Sequence, residues 1–282
     1  MLAGLKELMM EAEENRCAVA AFNTPTYDGL LAVIRAAEAT ETPIIISHAQ
    51  AHEKVAHLED IGPVMVHFAK RAKVPVCVHL DHSNSEAYCR KAMDIGFTSI
   101  MYDCSMYPYE KNLEMTIPMV ALAHSRGVDV ESELGQVPRN NLDGICYMRN
   151  DPSAYYTDPD EAAAFAEQTG TDALAIAFGT VHGEYAGKPS LNTDVIRKVR
   201  QKTTVPLVMH GGSGLSNEQY REVIECGIRK INYHTYLSLE GYRTAVFLTE
   251  EEPKGYFHEI AIAAQREMFH HAVNVIRIFS GK

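Results

Sequence analysis

The sequence predicts an α/β protein of the (β/α)8 TIM-barrel class, read as a single domain over residues 1–282 with extra terminal helices. Three observations carry that expectation. Short apolar or β-branched runs alternate with helically spaced segments. There are eight such runs, the number that closes a barrel with a side-chain-filled interior. Polar residues gather at the C-terminal end of nearly every run, the end on which barrels build their sites.

In chain order, MLAGLKELMMEAEEN mixes acids into its apolar pattern and reads as an amphipathic helix, not a signal peptide. The eight runs cover 18–23, 43–48, 74–81, 98–103, 128–133, 173–179, 205–210 and 230–233. Between them lie helical patterns such as LLAVIRAAEAT, and several end in a glycine just before the next run: Gly96, Gly127, Gly170 and Gly227. A glycine past a helix end accepts positive φ and marks a C-cap. An open doubly wound sheet is the rival architecture, and no G-x-G-x-x-G follows the first run to support it. Residues 136–158 (QVPRNNLDGICYMRNDPSAYYTD) lack periodicity and predict a long loop on the catalytic face after strand five. Residues 255–282 predict a C-terminal helical extension.

Lys+Arg number 26 against 37 Asp+Glu, a net charge of −11 that argues against a nucleic-acid partner. No apolar run approaches the ~20 residues of a membrane helix, so no membrane partner is expected. Cys17, Cys77, Cys89, Cys104, Cys146 and Cys226 form no C-x-x-C pair and read as reduced thiols of a cytoplasmic protein.

The strand ends read Asn23, Ser47-His48, Asp81-His82, Asp103, Glu131 and Glu133, His182, His210 and Asn232. His82, His182 and His210 follow three different strands. Three imidazoles with one open position form the ligand set of a catalytic zinc, with iron, cobalt or manganese also compatible. Asp103 and Glu133 are candidates for a second metal position or for orienting the histidines. Asp81 is a candidate proton carrier. After strand seven comes His210-Gly211-Gly212-Ser213-Gly214, and after strand eight Asn232-Tyr233-His234-Thr235, each leading into a helix. Barrels bind phosphate at these two loops, so a small phosphorylated substrate is the expected partner.

HLDHS (79–83), SIMYDCS (99–105), VESELG (130–135), FGTVHGEY (178–185), VMHGGSG (208–214) and KINYHT (230–235) resemble, in order, the signature segments of class II, zinc-dependent ketose-bisphosphate aldolases. The likeness starts at Ala18-Val19-Ala20-Ala21-Phe22-Asn23 and runs to the C-terminal helices. It implies reversible cleavage of a fructose- or tagatose-bisphosphate-type ketose to dihydroxyacetone phosphate and an aldehyde. It implies zinc on His82, His182 and His210, proton exchange at Asp81, and an alternative metal position at Asp103 and Glu133. Gly183, Gly211, Gly212, Ser213, Asn232, His234 and Thr235 match the phosphate pocket, near which a monovalent cation (Na+ or K+) is common in the family. A homodimer or homotetramer is implied in the same way.

Three departures mark the chain. Where the family carries Gly-Gly-x-Glu-Asp, this loop reads Pro138-Arg139-Asn140-Asn141-Leu142-Asp143, with Asn141 at the acid position and Asp143 nearby. Ala49 aligns where members tend to have Ser or Thr, and His234 replaces a smaller residue. Altered specificity for the aldehyde half follows as an expectation, with Asn23, Ser47, His48, Gln50, His52 and Arg139 as candidate contacts. Two alternatives remain: an aldolase for a ketose 1-phosphate such as 6-deoxy-6-sulfofructose 1-phosphate, and a catalytically silent aldolase-like subunit.

Overall fold

A computed structural model describes residues 1–138, 145–146, 152–185, 187–251 and 254–282. Eight parallel strands form the centre: β1 Val19–Asn23, β2 Ile44–Ala49, β3 Val76–Ser83, β4 Ser99–Tyr102, β5 Asp129–Leu134, β6 Ala173–Ile176, β7 Leu207–Met209 and β8 Ile228–Tyr233. Each pairs with the next in chain order, and β8 returns to β1 through Tyr233 opposite Phe22, so the sheet closes into the expected (β/α)8 barrel. The observed β6 and β7 are shorter than the runs that predict them. β6 stops where the backbone N–H of Ala177 turns to donate to Thr157 Oγ1 at 2.8 Å.

Residues alternate between the barrel interior and the helix layer, as successive strand side chains must. At the N-terminal end the interior is apolar: Val19, Ala21, Ile45, Cys77, Ala173, Ala175 and Val208 pack together with Leu5, Leu8, Met9 and Ala12. Those last four lie on helix α1, Leu5–Asn15, which therefore plugs that mouth. The short strand Leu2–Ala3 sits beside β3 at Val76 and Cys77. With one end sealed by hydrophobic packing, the opposite end is left for polar groups.

Helices α2 Tyr27–Thr40, α3 Leu58–Arg71, α4 Glu86–Ile95, α5 Tyr109–Ser125, α6 Pro159–Thr169, α7 Thr193–Lys202 and α8 Asn217–Cys226 connect consecutive strands. Gly96 and Gly170 close α4 and α6 in the left-handed conformation that their sequence positions predict. After β8 come α9 Thr235–Glu251 and α10 Phe257–Ser280. α10 turns a face of Met268, Ala272, Val275, Ile276 and Phe279 into the main core. Its last turn is tied to the barrel, because the Ala18 N–H donates to the Phe279 carbonyl at 2.9 Å. The Phe279 ring, 1% exposed, meets Tyr220 edge-on at a centroid distance of 4.9 Å. Phe279→Ala is expected to lower the unfolding free energy by about 3–5 kcal/mol, the cost of deleting a buried aromatic ring. Chemical denaturation checks this, and a loss under about 1 kcal/mol would mean that α10 does not brace the barrel.

Candidate active site

Asp81 and His82 lie at the C-terminal end of β3, just before its last residue, Ser83. Neighbouring strand residues normally face opposite ways. His82, however, has φ of 42°, in the left-handed region, and this turn brings its ring back over the barrel mouth beside Asp81. A non-glycine residue held there costs of order 1–3 kcal/mol and persists only when its surroundings fix it. Here Asp103, just past β4, holds His82 Nδ1 at 2.8 Å. His210 follows β7, and His182 lies in the loop after β6. His82 Nε2 stands 3.1 Å from His182 Nε2 and 2.7 Å from His210 Nδ1.

The protons on these rings follow from their outer partners. An ionised carboxylate only accepts hydrogen bonds, so His82 donates Nδ1–H to Asp103. His210 likewise donates Nε2–H to Glu131 Oε1 at 2.7 Å. With neutral rings, His82 Nε2 and His210 Nδ1 turn lone pairs toward each other at 2.7 Å, an approach that a proton or a shared cation relieves. Carboxylates behind imidazoles are how proteins orient metal-binding histidines. The surroundings also favour positive charge. Burial works against protonation of His82, yet Asp81, Asp103 and Glu133 push its basicity up. A divalent cation therefore fits the three histidines. His82, Asp103 and Glu133 form a second group whose candidate ligand atoms lie within 4.8 Å of one another.

Asp81 is 4% exposed. Its Oδ2 accepts from Asn23 Nδ2 at 2.8 Å and its Oδ1 from Asn232 Nδ2 at 3.0 Å. Burial alone would raise its pKa, but His82, His210 and Lys230 hold the carboxyl well below the usual carboxylate range. It is an ionised carboxylate held in place at the mouth by two amides.

The two glycine- and asparagine-bearing loops lock onto each other. The Gly212 N–H donates to the Asn232 carbonyl at 3.1 Å, and the His234 N–H donates to Ser213 Oγ at 3.2 Å. Both amides are thus engaged within the protein, so these residues hold the two loops together. Thr235 opens α9, and Gly183 follows His182 with φ of 96°. His234 brings no charge to an anion at neutral pH: burial, then His52, push it down to about 4.

A cavity of about 700 Å3 opens over His82, with Gln50, Asn84, Asp103, Ser105, Glu133 and Gln136 on its wall. Gln50 thus reaches the expected region, where its Oε1 accepts from Ser83 Oγ at 2.9 Å. His48 does not. Its ring is fully buried and its Nε2 is 3.1 Å from Tyr88 Oη, on α4, because an even position on β2 faces the helix layer. Ser47 is buried at the same strand end, opposite Asn23. Arg139, Asn141 and Asp143 lie outside the described residues.

The family model for class-II fructose-bisphosphate aldolase matches residues 3–281. The chain belongs to that family. A fructose-bisphosphate aldolase of Geobacillus stearothermophilus is 36% identical over 261 residues, 90% of this chain and 88% of the relative. YdjI of Escherichia coli K12 is 36% identical over 279 residues, 99% of this chain and 98% of its own. The crystal structure of the YdjI aldolase superposes with a TM-score of 0.86 at 34% identity, covering 99% of this chain and 97% of that one. The fructose-bisphosphate aldolase of Campylobacter jejuni, at 20% identity, shares the fold with a TM-score of 0.79 and covers 99% of this chain and 95% of that one.

Membership in the class-II aldolases makes the protein one of a group of generally metal-dependent lyases that act on small sugar phosphates. Sequence reasoning gave Glu131 no role and passed over Lys230 and His79. Each lies two residues before a chosen strand end, Glu133, Asn232 and Asp81, hence on the same inward face one layer deeper. That spacing was the available signal.

Gly211 has φ of +66°, and an added Cβ would lie 2.3 Å from the Val181 carbonyl oxygen, beside His182. Gly211→Ala is expected to cost about 1–3 kcal/mol through overpacking and to lower bound metal by separating His182 from His210. Thermal melting with metal analysis tests this, and unchanged values in both would show that the close approach has no consequence.

Proposed function

We propose that the protein is a zinc-dependent aldolase that reversibly splits a ketose 1-phosphate of the fructose- or tagatose-bisphosphate type into dihydroxyacetone phosphate and an aldehyde. The observation that supports this most is the convergence of His82 Nε2 and His210 Nδ1 at 2.7 Å, with a carboxylate behind each ring. His82, His182 and His210 would hold the zinc. The ion supplies Lewis acidity for the negative charge that carbon–carbon cleavage leaves on the three-carbon fragment.

The remaining steps belong to the chain's own residues. Asp81 accepts the proton of the hydroxyl that becomes the aldehyde, at a carboxylate oxygen, and returns it in the synthetic direction. Asn23 and Asn232 keep that carboxylate aimed. The loops at 211–213 and 232–235, with Gly183, hold the phosphate and spend remote binding energy on orienting the bond that breaks. Gln50, Asn84, Ser105 and Gln136 meet the aldehyde half with neutral polar groups. The reading includes a sodium or potassium ion near the phosphate, a homodimer or homotetramer, and a cytoplasmic location. No helix among the described residues is long and apolar enough to cross a membrane.

The test is a cleavage assay across fructose 1,6-bisphosphate, tagatose 1,6-bisphosphate and 6-deoxy-6-sulfofructose 1-phosphate. His210→Ala is expected to lose zinc and nearly all cleavage. Asp81→Ala is expected to keep zinc while kcat falls by about 100-fold or more, the scale of acid–base catalysis. Full activity after EDTA treatment, or an unchanged rate in Asp81→Ala, would contradict these assignments.

A further inference from the structure

Beneath the histidines lies a second polar layer. Lys230 on β8, Glu131 on β5 and His79 on β3 are all fully buried. Lys230 Nζ is 2.8 Å from Glu131 Oε2 and 2.6 Å from Asn232 Oδ1. The other Glu131 oxygen is the one that takes the His210 Nε2–H. His79 Nε2 also approaches Glu131 Oε2, at 3.8 Å, but its ring is neutral. Burial, then the Lys230 charge, push His79 down to about 3, while its Nδ1 contacts Ser99 Oγ at 2.9 Å. Lys230 is therefore the cation that Glu131 faces.

The donor and acceptor inventory makes this arrangement directional. An ammonium has donors only. Asn232 must then present Oδ1 to Lys230, which turns its Nδ2 toward Asp81 Oδ1 at 3.0 Å and His210 Nδ1 at 3.2 Å. The carboxylate paired to Lys230 accepts only, so His210 keeps its proton on Nε2 and turns a bare Nδ1 to the other histidines. Without the ammonium, the Asn232 amide is free to turn over, and a fully buried carboxylate loses its counter-charge.

We propose that Lys230 is a positioning residue for the site: one buried ammonium sets both the amide that aims Asp81 and the carboxylate that aims His210, while touching neither substrate nor metal. The proposal rests on the reading of the three histidines as a divalent-metal site.

The experiment titrates metal-free protein with Zn2+ against a chromophoric chelator, records visible absorption after loading with Co2+, and measures melting of the metal-free protein in parallel. Lys230→Met keeps the side-chain length and removes the charge. Its zinc affinity is expected to fall by about 10–100-fold, the range for groups that support metal ligands, with a shifted cobalt spectrum. The double variant Lys230→Met with Glu131→Gln leaves no unpaired buried ion, so it preserves the fold if the single variant does not. It is expected to melt near wild type yet bind zinc at least about 10-fold more weakly. A natively folded variant of either kind with wild-type zinc affinity and cobalt spectrum would overturn the proposal, because a purely structural lysine would alter melting alone. Wild-type protein that binds no Zn2+ would instead overturn the metal reading on which it rests.

Discussion

Two imidazole nitrogens face each other at 2.7 Å, and each ring directs an N–H to the carboxylate behind it. A positive charge shared by the rings relieves that confrontation, and acidic groups of the upper barrel surround it. Asp103 and Glu131 set the tautomers from outside. The left-handed turn at His82 bends the chain so that consecutive residues share one mouth. Asp81 then sits 3.9 Å from His82 Nε2, near enough to work on a substrate drawn to the same place.

The barrel makes this concentration of charge affordable by dividing its interior into layers. The lower layer and the face that α1 turns toward it are apolar. The middle layer pairs the fully buried Lys230 with Glu131, so that neither ion is stranded in low dielectric. The upper layer carries the histidines, Asp81 and its two asparagines. A buried ion pair is weak evidence for stability. Its position directly under the three histidines makes orientation the better account of why charge is kept there.

The barrel was legible because its determinants are local. Eight apolar runs, helix-closing glycines and a helical N-terminal segment each follow from short-range patterning. The upper layer was legible for a related reason: a polar residue ending an apolar run stands out. The middle layer was not. Glu131 was read at a strand end without a role and Lys230 only as the start of a run, and only the two-residue periodicity and closure of the sheet bring them together. His48 illustrates the opposite failure. It ends a run as Ser47 does, but one residue along a strand reverses the face, and the ring packs against Tyr88. Gly212 and His234, expected at the phosphate, lie in two loops that meet, and their amides serve the contact between those loops. Hydrogen bonding of that kind depends on which loops meet in space.

The central claim is that the three rings share one divalent ion, and X-ray absorption at the zinc edge of the zinc-loaded protein reads it directly. The account predicts a nitrogen shell at about 2.0–2.1 Å with the multiple-scattering pattern of three imidazoles. A shell of oxygens without imidazole scattering would contradict it.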